Sequence, residues 1–443
     1  MAESIHVALF TDFHPATLGG VQTAMRSLCA GLRALGHRVT VFCPPAPGFE
    51  SDDPDTVILR PVRFSMSNGL PLVLPTRANR RLIDAAFDER GPIHLVHVLT
   101  TYGGGIAGIR AARRHGVPIV QTMQSRDDAM IEKYSPAPYF AALSMRLLHG
   151  WFLPLRRQPV YTGDNRTARL AWRPLIAHAQ AADHVIVPTH HFACRLKTRG
   201  VDRPIHVASN GIDDALIDRL RTGEAETPAS QDGPLRLLWC GRLSPEKRPL
   251  EAIEVARLVE NCTLDIYGSG PLSDRARTAI AEANLSDRVH LHGEVDQATC
   301  MTAMRDHDLL LLTSDCDTQG MVLLEAMAMT LPILYCDPDL AETIPAAGGL
   351  LTPDPAPESF AATAQAHNRI QLAALRAALA THADTPRQSR HLGDLVSVYT
   401  AALEVNIPGR IRTGRWQWRP TARPAPPRRT SRRSAAAARP APR

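Results

Sequence analysis

No stretch of the 443-residue chain reaches 18 consecutive apolar residues, so the sequence offers no bilayer-spanning helix. None of the eight cysteines (Cys29, Cys43, Cys194, Cys240, Cys262, Cys300, Cys316, Cys336) pairs with another in a C-x-x-C motif. That scatter argues against a disulfide framework or a zinc site and fits a reducing cytoplasm. No basic segment precedes the first apolar run, since Met1-Ala2-Glu3-Ser4 passes straight into Ile5–Phe10, and no secretory leader is expected. Residues 405–443 contain no Lys, Asp or Glu but 11 Arg, which leaves the preceding residues with 39 basic and 44 acidic groups, net −5, in a chain of net +6. A basic appendage on a mildly acidic body argues against nucleic-acid binding, which needs a basic face.

What is present is the composition of a soluble globular chain, 44% hydrophobic and 21% charged. Its length predicts two α/β domains of roughly 150–220 residues each. Ile5–Phe10 reads as a strand, Thr11–Gly20 as a glycine-ended loop, Val21–Leu35 as a helix stopped by Gly36, and Val39–Phe42 as the next strand. The alternation continues through Leu95–Val98, a helix near Gly105–His115, Pro118–Gln121, Val185–Val187 and Ile205–Val207. Residues 218–234 are polar and read as a linker or surface loop. Strands resume at Leu235–Cys240, Thr263–Tyr267, Val289–His292, Leu309–Leu312 and Ile333–Tyr335. We expect an N-terminal domain over 1–205, a second over 206–390, a returning helix over 391–404 and a disordered Arg/Pro/Ala tail over 405–443. Two such halves would face a cleft walled by strand carboxyl ends, where α/β sheets bind ligands.

Three segments could carry chemistry. Gly241-Arg242-Leu243-Ser244-Pro245-Glu246-Lys247-Arg248 joins a strand to a helix, and Arg242 and Lys247 there suit an anion beside a helix amino end, although a solvated basic loop reads the same. Tyr267-Gly268-Ser269-Gly270-Pro271 either lets backbone approach a ligand or makes an ordinary turn. In Asp315–Ala328, Asp317 stands at a helix start, where it can simply cap. Glu325 interrupts an apolar run, and a buried carboxylate needs a partner such as ligand hydroxyls.

Taken together with Gly19-Gly20-Val21 and Asn210-Gly211-Ile212-Asp213, these segments resemble the family 4 glycosyltransferases, retaining nucleotide-sugar enzymes of GT-B architecture. The resemblance covers about residues 4–400. It implies two Rossmann-like domains around a central cleft, with a C-terminal helix crossing back to the first. It implies that Arg242 and Lys247 grip the donor diphosphate and carry catalysis with Asp317, which takes the place of the family's first glutamate. Glu325 would bind the ribose hydroxyls, and Gly20, Gly268, Gly270, Gly320, Met321 and Val322 would bring backbone to the donor. Asp315-Cys316-Asp317 looks like a D-x-D metal motif, but the two basic groups would do a divalent ion's work, so neither metal nor cofactor is expected.

Two positions depart from the family. Asp317 is one methylene shorter than glutamate, and Thr122-Met123-Gln124 replaces the usual Thr-x-His with a glutamine that cannot carry a proton. His97 reads as a structural histidine. Acceptor recognition is expected between Gln124 and Arg173, with Gln124, Arg126 and Asp127 as its candidates. Residues 139–157 form an apolar-aromatic stretch with Arg and His among it, either a core helix or one that lies on an anionic membrane. The tail, with Trp416 and Trp418 between arginines, suits the same surface. The expectation is a cytoplasmic enzyme, peripheral on the inner face of the plasma membrane, moving a hexose from a UDP-glucose-like donor or GDP-mannose to a glycerolipid or lipid-linked glycan. The alternatives are a soluble acceptor or a non-catalytic nucleotide-sugar-binding protein.

Overall fold

The computed structural model describes residues 4–404 except 47, 50–52, 66–70, 157–158, 160 and 223–232. Short strands buried on both faces, such as His6–Phe10 and Leu95–Val98, can only sit inside parallel sheets covered by helices. The first sheet is parallel and has seven strands in the order Thr56–Ile58, Arg38–Cys43, His6–Phe10, Leu95–Val98, Ile119–Thr122, His184–Val187, Ile205–Val207. The second is parallel with six, in the order Val289–Gly293, Cys262–Tyr267, Leu235–Cys240, Leu309–Leu312, Ile333–Tyr335, Gly349–Leu351. Each order reverses beside the half's opening strand, at His6–Phe10/Leu95–Val98 and at Leu235–Cys240/Leu309–Leu312. These switch points open a crevice at the strand carboxyl ends. This is the GT-B architecture.

The last described helix, Gln388–Glu404, crosses back to the first half. Its Leu392, Leu395, Val398, Tyr399 and Ala402 share a core with Val7, Leu9, Met25, Leu32 and Val120. Tyr399 also explains His97: the imidazole is fully buried, with Nδ1 2.7 Å from the Tyr399 hydroxyl and Nε2 2.6 Å from Thr122 Oγ1. Burial pushes its pKa down to about 3, so it stays neutral and structural.

Several boundaries differ from the sequence reading. Ile205–Val207 is the edge strand of the first sheet, so that sheet runs past residue 205. Residues 218–221 are not linker but the end of the helix Asp214–Arg221, which Asp213 caps by accepting from the Ala215 amide. The rest of the expected linker, 223–232, and the whole tail with Trp416 and Trp418 lie outside the described residues. The short strands Thr56–Ile58 and Gly349–Leu351 and the Pro61–Ser65/Pro71–Val73 hairpin carry too few apolar residues to announce themselves. Among the described residues no helix is long and apolar enough to cross a membrane.

Candidate functional site

The switch point of the second sheet brings two loops together, 241–248 after Leu235–Cys240 and 313–320 after Leu309–Leu312. The Lys247 ammonium is ion-paired with the Asp317 carboxylate across them. Burial pulls the Lys247 pKa down, but Asp317 outweighs it and the net shift is upward, so the ammonium stays charged. The second oxygen of Asp317 is buried without a partner, free to accept from a ligand hydroxyl. Arg242 is exposed, and its guanidinium has no protein partner among the described residues.

Gly320, at φ +81°, turns the chain into the helix Met321–Ala328. The amides of Met321 and Val322 open that helix beside Lys247 and Asp317, a place where backbone N–H groups favour anions. Glu325 lies further along the helix and is 8% exposed. Its Oε1 accepts from Gln297 Nε2 at 2.8 Å, and burial pushes its pKa up to about 7.

Gly20 meets this helix from the other half: a Cβ there would stand 3.4 Å from Met321 Cγ. Gly268 and Gly270 answer to a different constraint. A Cβ on Gly268 would fall 1.8 Å from the Gly241 carbonyl oxygen, and one on Gly270 2.4 Å from that of Leu243. These glycines therefore let one loop of the second half pack closely on the other. The Leu243 amide donates to the Ser269 carbonyl at 3.0 Å in the same packing.

The acceptor candidates are brought together only in part. Gln124 lines a small pocket of about 40 Å³ with Thr122, Pro188, Ser209, Asn210 and His391. Arg126 is committed to Asp128 in a two-pronged pair, both contacts 2.9 Å, which leaves its guanidinium less available to an acceptor than expected. Asp127 is 1% exposed, accepting from Thr101 Oγ1 at 2.7 Å. Its other oxygen has no partner, and burial pushes its pKa up to about 7.

Other groups that join the halves gave no sequence signal. Thr318 Oγ1 donates to the Gln124 carbonyl at 2.8 Å, and Gln319 bonds Ser209 and Asn210. Lys133 pairs with Asp315, and Tyr134 donates to Glu246 at 3.3 Å. Gln297, which bonds Glu325, is likewise visible only in three dimensions. Among the described residues no group of three His, Cys, Asp or Glu side chains is placed to hold a metal ion.

The stretch read as either core or membrane helix is the helix Pro138–Gly150, and it is not a core helix. Only Ala142 and His149 are buried on it, while Tyr139, Phe140 (70% exposed), Leu147 and, just beyond, Trp151 (86% exposed) face outward. His149 holds it to the body, with ring nitrogens 2.7 Å from the carbonyl oxygens of Thr101 and Met145.

The chain matches Glycosyltransferase Family 4 over residues 18–216 and glycosyl transferases group 1 over residues 222–369. It is 26% identical over 345 residues to a GDP-mannose-dependent alpha-mannosyltransferase of Mycobacterium tuberculosis, covering 75% of this chain and 79% of that protein. It is 22% identical over 340 residues to the alpha-monoglucosyldiacylglycerol synthase of Acholeplasma laidlawii, covering 74% and 80%. Among solved structures, sucrose-phosphate synthase from Thermosynechococcus elongatus superposes with a TM-score of 0.68 at 19% identity, over 90% of this chain and 100% of that one.

Proposed function

The chain belongs to the family 4 glycosyltransferases, and on that premise we propose that it moves a hexose, with retention, from a nucleotide-diphosphate sugar to a hydroxyl of a membrane glycerolipid or lipid-linked glycan. One observation carries the donor half of this reading. Lys247, Asp317 and the amino end of Met321–Ala328 converge at the switch point of the second sheet, with Gly20 closing from the first half.

A diphosphate fits that convergence. Lys247 and the exposed Arg242 supply positive charge, and the amides of Met321 and Val322 supply donors in fixed directions. Glu325 is deep enough on the same helix to accept from ribose hydroxyls, and the partnerless oxygen of Asp317 accepts from the sugar. In the front-face reaction, the bond from the anomeric carbon to the phosphate oxygen breaks as the acceptor oxygen bonds to the same face. The acceptor's proton passes to the departing phosphate oxygen. Lys247 and Arg242 stabilise the charge growing there, so electrostatics and positioning supply most of the acceleration. Gln124, which can bond a hydroxyl without exchanging a proton, is compatible with a route that asks no general base of that position.

The exposed apolar face of Pro138–Gly150 supports a lipid acceptor. Phe140, Leu147 and Trp151 recur at helical spacing on one side, with Arg146 on the same helix, the pattern of an interfacial helix. The similarity to a glucosyldiacylglycerol synthase points the same way. Radiolabelled UDP-glucose and GDP-mannose, each offered with anionic vesicles containing diacylglycerol or with soluble sugars, test the proposal. Label in the lipid fraction supports it. Label in soluble sugars alone overturns the lipid acceptor, and binding without any transfer or hydrolysis overturns catalysis.

A further inference from the structure

The helix Pro138–Gly150 has only two buried residues, Ala142 and His149, and His149 is the one of them with a polar side chain. Its Nδ1 stands 2.7 Å from the Met145 carbonyl oxygen of the same helix. Its Nε2 stands 2.7 Å from the Thr101 carbonyl oxygen, on the loop that follows Leu95–Val98. Both distances are those of strong hydrogen bonds, and both partners can only accept. A neutral imidazole has one N–H and one lone pair, so it would satisfy one carbonyl and turn a lone pair toward the other. Only the doubly protonated ring donates to both.

We propose that His149 is a proton-dependent latch: its imidazolium pins the outward-facing apolar helix Pro138–Gly150 to the Thr101 loop, and loss of one ring proton loosens that attachment. The inference rests on the reading of this helix as the membrane contact, and adds to it a means of regulation. The docked helix holds a proton that the released helix does not need. Docking is therefore strongest at low pH and weakens as the pH rises through the range where histidine gives up its second proton. The effect reaches the acceptor region, because Thr101 Oγ1 also donates to Asp127 at 2.7 Å, so the loop that receives the latch holds an acceptor candidate.

The titratable groups on the neighbouring elements leave the ring to its two carbonyls. From the helix Arg166–Ala181, His178 stands edge-on with ring centroids 5.4 Å apart, and burial pushes its pKa well below the ordinary value, so it is neutral. Arg166 and Arg169 of that helix are exposed, and Arg173 is half-buried. From the helix Asp127–Tyr134, Asp127 is tied to the latch through Thr101, while Asp128 is paired with Arg126, Glu132 with Asn165, Lys133 with Asp315 and Tyr134 with Glu246. Tyr102, next to Thr101, is kept protonated by burial. Arg110 of the helix Gly103–His115 lies over the Phe152 ring. Arg146, three residues before His149, has its Nε buried without a partner, and its charge opposes a second proton on the ring. Among the described residues no carboxylate bonds His149, so the proton is held by the two carbonyls and can be given up.

The test is hydrogen exchange of the full chain without vesicles, from roughly pH 5.5 to 8.5, read as protection factors so that the intrinsic pH dependence of exchange is removed. In the wild type, protection of the amides of 138–150 should fall at least about tenfold across that range, relative to the neighbouring helix Arg166–Ala181. His149→Gln keeps an amide donor and does not titrate, so its relative protection should be flat. Flat protection in the wild type, or the same fall in His149→Gln, would overturn the proposal. Asp127→Asn removes the other titratable group tied to Thr101, and the fall should survive it; its disappearance would assign the pH dependence to Asp127 and likewise overturn the latch. Should His149→Gln not fold, the wild-type and Asp127→Asn profiles decide. Sedimentation with phosphatidylglycerol vesicles at both pH values separates the two levels: if the wild type shows the fall in protection but binds no vesicles, the latch stands and the membrane reading of the helix fails.

Discussion

Lys247 and Asp317 meet across the switch point of the second sheet, the ammonium from one strand's loop and the carboxylate from the next. The two side chains proposed to receive the donor's diphosphate and sugar are therefore neutralising each other before any donor arrives. A bound diphosphate must share Lys247 with Asp317 and lie beside a like charge.

Asp317→Asn should separate binding from chemistry. Without the carboxylate's charge, UDP or GDP should bind more tightly, by about threefold to tenfold, because the like-charge repulsion is gone. Turnover should fall at least about tenfold, roughly 1.4 kcal/mol of transition-state stabilisation, because the sugar loses an anionic acceptor. Lys247→Ala should lose both affinity and turnover. Calorimetry and initial rates on the two variants check this, and an Asp317→Asn protein that binds nucleotide more weakly would show that the carboxylate's main role is to hold Lys247 in place.

Much of this arrangement can be read along the chain, and the part that cannot has a physical reason. Leu309–Leu312 is four leucines between polar residues, and Leu95–Leu99 ends where Thr100–Gly105 begins; short apolar runs bounded this way read as buried parallel strands. Arg242, Lys247 and Glu325 stand out because charge beside a glycine turn or inside an apolar helix is costly without a partner. Gln297 precedes Glu325 by 28 residues, and nothing local to it signals the bond that joins them. Gly268 stayed ambiguous, because a glycine needed for loop packing is indistinguishable in sequence from one needed for a ligand.

Gln319 should prove to be a clasp. Its Nε2 donates to Ser209 Oγ at 2.7 Å, and its Oε1 accepts from the amide (3.2 Å) and the side chain (3.0 Å) of Asn210. It is 3% exposed and sits one residue before Gly320, so it ties the donor loop to the segment between the halves. Gln319→Ala leaves buried polar partners unpaired and should cost about 1–3 kcal/mol. Thermal melting should show the loss, and donor KM should rise more than kcat falls; an unchanged melting temperature would mean that water replaces the clasp.

Phe140 and Trp151 should matter to membranes and to nothing else. Both are exposed, so Phe140→Ser with Trp151→Ser should change stability by no more than about 0.5 kcal/mol each. Buried in a bilayer interface, such side chains are worth up to about 1.5–3 kcal/mol apiece, so the double variant should partition onto anionic vesicles at least about tenfold less. Hydrolysis of the donor without vesicles should be unaffected. Truncation of 405–443 separates the tail's contribution in the same sedimentation assay, and full binding by the double variant would remove this helix from the membrane contact.

Glu325 should be a residue that the fold would be more stable without. Its pKa is raised from 4.5 to about 7 by burial, so between those values the folded chain holds a proton that the unfolded chain releases. Stability therefore falls as the pH rises through that window, by up to roughly 3 kcal/mol once the window is passed. Glu325→Gln keeps an oxygen for the bond from Gln297 and carries no charge to bury. It should melt no higher than the wild type near pH 4.5, then gain over it as the pH rises, reaching an advantage of a few degrees at pH 8. The same substitution should cost at least about tenfold in turnover, since an amide cannot accept ribose hydroxyls as a carboxylate does. Stability lost where function needs charge is the expected trade at a binding site. Melting curves at pH 4.5, 6 and 8 beside initial rates decide it: equal melting at every pH would mean that Glu325 is not held in its strained, buried state, and undiminished turnover would remove it from the donor site.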